Sequence, residues 1–413
     1  MAELVLATEN LVGEPFTDEQ CVDKDWLNRY CGLDVASASL VPLTDAGGLN
    51  AEMKKLVVVL ITGEEKTYVL KRNHGSARAI YLGTSREAFF YKYFASTVAE
   101  IVPKVNYAYG DMATGTKAIL MENLSDCIQC GYFFGKHSPH NWSKDLQAIV
   151  GYEDSSPARI SAMETVTESA FLAAAKLHAT YWNDRSLLNY SWVRGGTWMK
   201  GEGRELWEAA QAQSSGPWAA TKANIQSGAS GVRWNPLVES LLDASYAKIS
   251  WETYQESIQN TDFVFTLAHS DFHPANMMWR RNFQQPSQEG PEQGVTILLD
   301  WEVIGVGSGP QECAQYVISH MRPEERRNCE LRLLRSYYQT LIAGSDGKID
   351  STNYPFERCL ADYVAGGIGR WVWMLGLLSR LCPDNWVQYF HDQFLAFAED
   401  HNVTVENVPM PRV

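Results

Sequence analysis

Two apolar runs of strand length, Phe263 to Ala268 and Val295 to Leu299, each end on a polar cluster. The first is followed by His269-Ser270-Asp271-Phe272-His273-Pro274-Ala275-Asn276, the second by Asp300-Trp301-Glu302. Runs this short and this apolar read as buried strands. The chain is thereby committed to presenting an acid, an amide and a second acid at the ends of core strands.

Phosphoryl transfer from a nucleotide needs a group that accepts the proton of the attacking hydroxyl. It also needs hard oxygen ligands that hold Mg²⁺ against the phosphates. Asp271 suits the first task, Asn276 and Asp300 the second. The pattern H-x-D-x-x-x-x-N with a downstream D-W-E resembles the aminoglycoside phosphotransferase and choline kinase-like small-molecule kinases, ecdysteroid kinase-like members included, which share the protein-kinase fold. The resemblance implies that Asp271 is the catalytic base and that Asn276 and Asp300 bind metal. It implies ATP and Mg²⁺ as cofactors, and a small-molecule acceptor phosphorylated on a hydroxyl, less readily on an amine. The implied fold class is α+β and bilobal, with a small antiparallel-sheet N-lobe and a mainly helical C-lobe. A helical lead is expected over 1–39, the nucleotide-binding N-lobe over 40–124, and the C-lobe with its catalytic and metal-binding loops and acceptor site over 125–413.

The residues of the first third carry their own pattern. Asp18-Glu19-Gln20 reads as a first helical turn, with Trp26, Leu27 and Tyr30 sharing one helical face after it. Leu56 to Thr62 and Thr67 to Lys71 flank Gly63-Glu64-Glu65-Lys66, an antiparallel hairpin. Gly47 and Gly48, just before it, lack the side-chain bulk that would keep a backbone away from phosphates, and in the resembling family this loop covers them. Lys71 ends an otherwise apolar strand, and Glu87 stands in the first turn of a helical stretch from Arg86 to Phe94. The resemblance pairs these two so that the ammonium is fixed on the nucleotide phosphates. Arg72 is the competing cation, but strand alternation puts it on the opposite face from Lys71. Lys117 to Leu124 is an apolar strand that turns polar and resembles the hinge between lobes, which makes Met121, Glu122 and Asn123 the adenine-side candidates.

Downstream, Ser161 to Asn183 has a long helical periodicity, and Arg185 to Asn260 reads as further helices rich in tryptophan. His178 and His269 are expected to organise structure, His273 to face solvent, and Glu302 to reach metal, substrate or a salt-bridge partner. Glu312 stands near the place where the family has a helix-capping Asp. Relative to a protein kinase, His-Ser-Asp replaces His-Arg-Asp, D-W-E replaces D-F-G, and no A-P-E segment is present, so a small acceptor is favoured. Trp371 and Trp373 lie in the region where choline kinases hold a quaternary ammonium, yet two residues apart they cannot share one helix face. A cationic amino alcohol suits such rings and the acidic chain; an apolar alcohol suits the same walls.

Composition excludes several classes. The 413 residues carry a formal charge of -14, against a nucleic-acid or anionic-membrane surface. No apolar run is long enough for a membrane span, and the first residues lack a signal-peptide core. Eight scattered cysteines read as reduced thiols, so a cytoplasmic location is expected, and Cys127-x-x-Cys130 lacks a second pair at zinc spacing. The oligomeric state is not encoded legibly. The alternative to an enzyme is a nucleotide-binding pseudokinase scaffold, against which every polar catalytic position is filled.

Overall fold

The computed structural model describes residues 10–43, 51–260, 262–282 and 293–413. The chain divides into two compact units, and the first gathers Met1–Cys127 with two returning segments, Asn189–Arg194 and Ile297–Gly305. Its strands are β1 (Leu11–Val12), β2 (Val35–Pro42), β3 (Glu52–Leu60), β4 (Glu65–Asn73), β5 (Val105–Asp111) and β6 (Thr116–Glu122). They form a six-stranded sheet in the order β1-β5-β6-β4-β3-β2, and the five ladders are antiparallel. The β3–β4 turn is tighter than the sequence suggests. Leu60 N–H reaches Glu64 O at 2.8 Å and Gly63 adopts φ 84°, so Glu65 and Lys66 join the strand.

Helices α1 (Asp18–Cys21) and α2 (Lys24–Cys31) occupy the stretch read as a helical lead, between β1 and β2 of the sheet. Thr17 and Asp23 cap them by accepting backbone N–H groups, the usual way to satisfy a helix start. Phe16, Trp26 and Leu27 pack with Leu56, Val58, Leu70 and Leu120 into one core. Because side chains alternate, the neighbours of Leu70 point away from that core. Lys71 therefore belongs to the other side of the sheet, with α3 (Ala77–Leu82) and α4 (Arg86–Tyr93) following β4. There Phe90 stacks on Trp301 at 3.7 Å between ring centroids, fixing the returning segment 297–305 to α4.

The second unit holds Ile128–Leu188, Gly195–Thr296 and Val306–Val413. It comprises β7 (Ile128–Gln129), α5 (Leu146–Val150), α6 (Pro157–Thr180), α7 (Gly196–Met199), α8 (Arg204–Ser227), α9 (Pro236–Tyr246), α10 (Trp251–Gln259), β8 (Thr266–Ala268) and β9 (Met277–Arg281). After β10 (Gly294–Leu298) and β11 (Gly305–Gly307), where the chain passes through the first unit, come α11 (Gly309–His320), α12 (Pro323–Ala343), α13 (Phe356–Leu381) and α14 (Asp384–Asp400). Helix α6 packs on α11 and α12, and α13 on α11 and α8. Close approach of α13 to α11 depends on glycine: a Cβ at Gly367 would lie 2.5 Å from the Ala314 Cβ. The result is a mixed α/β molecule with an antiparallel sheet in one unit and mainly helices in the other. None of the described helices is long and apolar enough to cross a membrane.

Candidate active site

In the first unit, β4 and α4 bring Lys71 and Glu87 together. Lys71 Nζ lies 2.8 Å from Glu87 Oε2 and 2.8 Å from Asp300 Oδ1, with Glu302 Oε1 at 3.9 Å. Lys71 and Asp300 are 229 residues apart in sequence. A second ammonium, that of fully buried Lys117 on β6, bonds both Glu87 and Glu302. Two lysines thus face three carboxylates. Burial works against ionised Glu87, but Lys117 and Lys71 outweigh it and hold its pKa down at about 2. Burial likewise opposes the Lys71 charge and is outweighed by Glu87, Asp300 and Glu302, which raise its pKa well above normal. Glu302 differs, since burial and the charge of Asp300 raise its pKa despite Lys117.

This cluster fits a divalent cation. Oxygens of Glu87, Asp300 and Glu302 lie within 4.8 Å of one another, and hard carboxylate oxygens are what Mg²⁺ takes. Glu87 is fully buried between the two lysines, whereas Asp300 and Glu302 keep part of their side chains exposed, which leaves these two as the available donors. Asp300 is the more open of the two, with a side chain 38 % exposed, and it sits at φ 64°. A left-handed backbone at a non-glycine residue costs on the order of 1–3 kcal/mol and is retained where the surroundings hold it; here Lys71 and the Phe90–Trp301 stack do so.

The adenine-side candidates end β6. Met121 is buried, in register with Val69. Glu122 and Lys104 are clipped together, the Glu122 N–H donating to Lys104 O and the Lys104 N–H to Glu122 Oε1, each at 2.8 Å. Asn123 Nδ2 donates to Thr67 Oγ1 at 2.9 Å, and its Oδ1 accepts from Ser125 N–H. The Glu122 and Asn123 side chains are therefore committed to their own surroundings in the first unit. Gly47 and Gly48 lie outside the described residues.

In the second unit, β8 delivers the His269–Asn276 loop. Glu312, in the first turn of α11, accepts the N–H groups of Ser270 at 2.6 Å and His269 at 3.2 Å. His178 on α6 bonds Glu312 through Nε2 and Tyr337 of α12 through Nδ1, both at 2.9 Å. Buried His269 turns its Nδ1 to the Asp271 N–H, and Arg370 of α13 donates to Ser270 O at 3.0 Å. These bonds hold Ser270 at φ 67°. Asn276 Nδ2 donates to Asp271 Oδ2 at 2.9 Å and to its carbonyl at 3.1 Å, so Oδ1 is the atom that Asn276 can offer a cation. His273 Nε2 is 3.5 Å from Asp271 Oδ2. Burial raises the Asp271 pKa, but His273, Arg370 and His269 outweigh it and hold the carboxyl well below its ordinary range. Such a carboxylate stays ionised and can align a hydroxyl, accepting its proton only as transfer proceeds.

Arg72 lies on the opposite face from Lys71, as strand alternation predicts, and bonds Asp18 and Phe16 O. Other sequence expectations change. Glu312 takes the N–H groups of the loop, and Ser308 leads α11 without a side-chain cap. His273, expected to face solvent, leans on Asp271. Both Trp371 and Trp373 are buried, at 2 % and 5 % exposure, since α13 is covered on more than one side. The sequence did not single out Lys117 or Arg370. A lysine opening the otherwise apolar run Ala118 to Met121 was the available signal for the first.

A family model described as DUF1679, uncharacterized oxidoreductase dhs-27, matches residues 221–364, about a third of the chain, and no curated protein matches significantly. Among solved structures, macrolide 2'-phosphotransferase from Brachybacterium faecium aligns at 13 % identity over 94 % of this chain and 99 % of its own, with a TM-score of 0.36. Choline kinase from Cryptosporidium parvum aligns at 10 % identity over 94 % and 96 %, TM-score 0.37. Plasmodium vivax ethanolamine kinase does so at 11 % over 94 % and 96 %, TM-score 0.36. These solved structures are small-molecule kinases, and at such scores every residue assignment rests on the geometry of this chain alone.

Proposed function

We propose that the protein is a phosphotransferase that moves the γ-phosphoryl group of ATP to a hydroxyl of a small molecule. The observation that carries the proposal is Lys71, a strand lysine held 2.8 Å from both a helix glutamate and Asp300. A lysine so placed is a fixed positive charge for nucleotide phosphates. Asp300 with Glu302 in the first unit would hold Mg²⁺, which when bound neutralises charge on the phosphates, and Asn276 in the second unit has its Oδ1 to offer a cation. Asp271 orients the acceptor hydroxyl and takes its proton as the new O–P bond forms and the bond to ADP breaks. Glu87 and Lys117 keep Lys71 in place, and His269, Glu312 and Arg370 fix the loop that carries Asp271. Most of the rate then comes from positioning and charge. The acidic chain suits a cationic amino alcohol as acceptor, although the two rings expected to hold its ammonium are buried.

The test is Mg²⁺-dependent ATP consumption by the purified protein with a panel of amino alcohols, aminoglycosides, sugars and sterols, beside Asp271→Ala and Asp300→Ala. Acceptor-dependent turnover, lost in both variants while Asp271→Ala still binds Mg-ATP in calorimetry, is the expected result. Unchanged turnover in either variant removes that residue's assignment, and absence of nucleotide binding by the native protein removes the proposal.

A further inference from the structure

The surroundings of Asp271 within the second unit carry more information than its role as base. Arg370 is 4 % exposed. Its Nη2 is spent on Ser270 O, but among the described residues its Nε and Nη1 have no hydrogen-bond partner. Leaving buried guanidinium N–H groups unmade is costly, so such groups mark a place where another molecule supplies oxygens. Among the described residues two further buried nitrogens are without hydrogen-bond partners, Nδ1 of His273, whose Nε2 lies 3.5 Å from Asp271 Oδ2, and Nε2 of His320, whose ring lies parallel to that of His273 at 5.9 Å. The ring that an ammonium acceptor would need is already used. Trp373 has the Arg370 guanidinium over its face at 4.9 Å, and Trp371 packs on Phe390. Glu312, the other carboxylate that acts on the Arg370 charge, is taken by His178, His269 and Ser270.

The geometry points to Arg370, with His273, as an acceptor-recognition group that selects an uncharged or anionic, oxygen-bearing hydroxyl compound over an ammonium alcohol. The inference rests on the phosphotransferase reading and replaces the cationic amino alcohol, which the charge of the whole chain suits, with an acceptor that suits the surroundings of Asp271. An ammonium beside Asp271 offers no acceptor to Arg370 Nε and Nη1 and leaves them unpaired, and its attraction to the Asp271 carboxylate is offset by the guanidinium that the same carboxylate already faces. An acceptor with oxygens next to its reacting hydroxyl receives charge-assisted hydrogen bonds from the same guanidinium.

The experiment compares matched acceptors with Mg-ATP: choline against its uncharged carbon isostere 3,3-dimethylbutan-1-ol, and glucosamine against glucose and glucuronate. Native protein is expected to favour the uncharged or anionic member of a set in kcat/KM by about tenfold or more, the size of one lost interaction of about 1.4 kcal/mol. Arg370→Gln is expected to erase that preference and Arg370→Lys to retain the charge discrimination with a higher acceptor KM. Nucleotide affinity, measured in parallel, should be unchanged in both variants. Preference for choline or glucosamine, an unaltered preference in Arg370→Gln, or no turnover of any uncharged or anionic member by protein that binds Mg-ATP would each overturn the inference and leave nucleotide handling intact. Failure to bind Mg-ATP would instead remove the phosphotransferase reading on which it rests.

Discussion

Lys117 shows how much a single buried charge can govern. It is fully buried and holds Glu87 and Glu302, so its removal leaves Glu87 with Lys71 alone and Glu302 with only the more distant Lys71, 3.9 Å away. Breaking a buried ion pair from one side costs about 3–5 kcal/mol. Lys117→Met is therefore expected to lower the unfolding midpoint sharply and to raise the KM for ATP more than it lowers kcat; a variant of native stability would show that the pairing is inert. The pH behaviour of Glu87 has a definite sign. Its folded pKa, about 2, lies below the ordinary 4.5, so the stability it contributes is present above about pH 4.5 and is lost as pH falls toward about 2. Local motifs were legible in the sequence because Asp271 and Asn276 lie five residues apart in one loop, and they bond each other. Arg370, 100 residues beyond Ser270, has no such local signature, since nothing in a helix sequence says which loop a guanidinium will meet.

At the scale of elements, α11 is the organiser of the Asp271 loop. Its Glu312 joins the loop N–H groups to His178 on α6, and through His178 to Tyr337 on α12. Glu312→Gln removes the charge and one acceptor, a loss of about 1–3 kcal/mol for buried groups left unsatisfied. We expect kcat to fall by about tenfold or more with nucleotide affinity unchanged; a variant with native kcat would show that the loop holds itself. Gly367→Val forces a side chain into the Ala314 contact and, as overpacking, is expected to cost about 1–3 kcal/mol in urea unfolding. A neutral result would mean that α13 can shift away from α11. Strong periodicity made some elements legible: the β3–β4 hairpin and α6 match their patterns to within a few residues. β2 was hidden because Val35-Ala36-Ser37-Ala38-Ser39 offers small side chains with little apolar contrast, and it is fixed by pairing with β3 at the sheet edge. β1, two residues long, carries no periodicity at all.

For the whole molecule, buried histidines set an acid limit. Burial holds His140 down at about 4, His320 well below its usual value and His137 below it. Unfolding frees these rings to take up protons near pH 6.5, so their contribution is complete above about 6.5 and declines as pH falls toward 4. Glu302, with its raised pKa, works in the opposite sense. Urea unfolding should therefore give lower stability at pH 5 than at pH 7, with the difference reduced in His140→Gln; equal stability at the two values would contradict this. Phosphoryl transfer is tested by following label from [γ-³²P]ATP into the small molecules of a cell extract, native protein beside Asp271→Ala. A labelled small molecule is expected only with Mg²⁺ and only from the native protein. Labelled product formed equally by Asp271→Ala, or none formed by native protein that binds Mg-ATP, would contradict the proposed transfer.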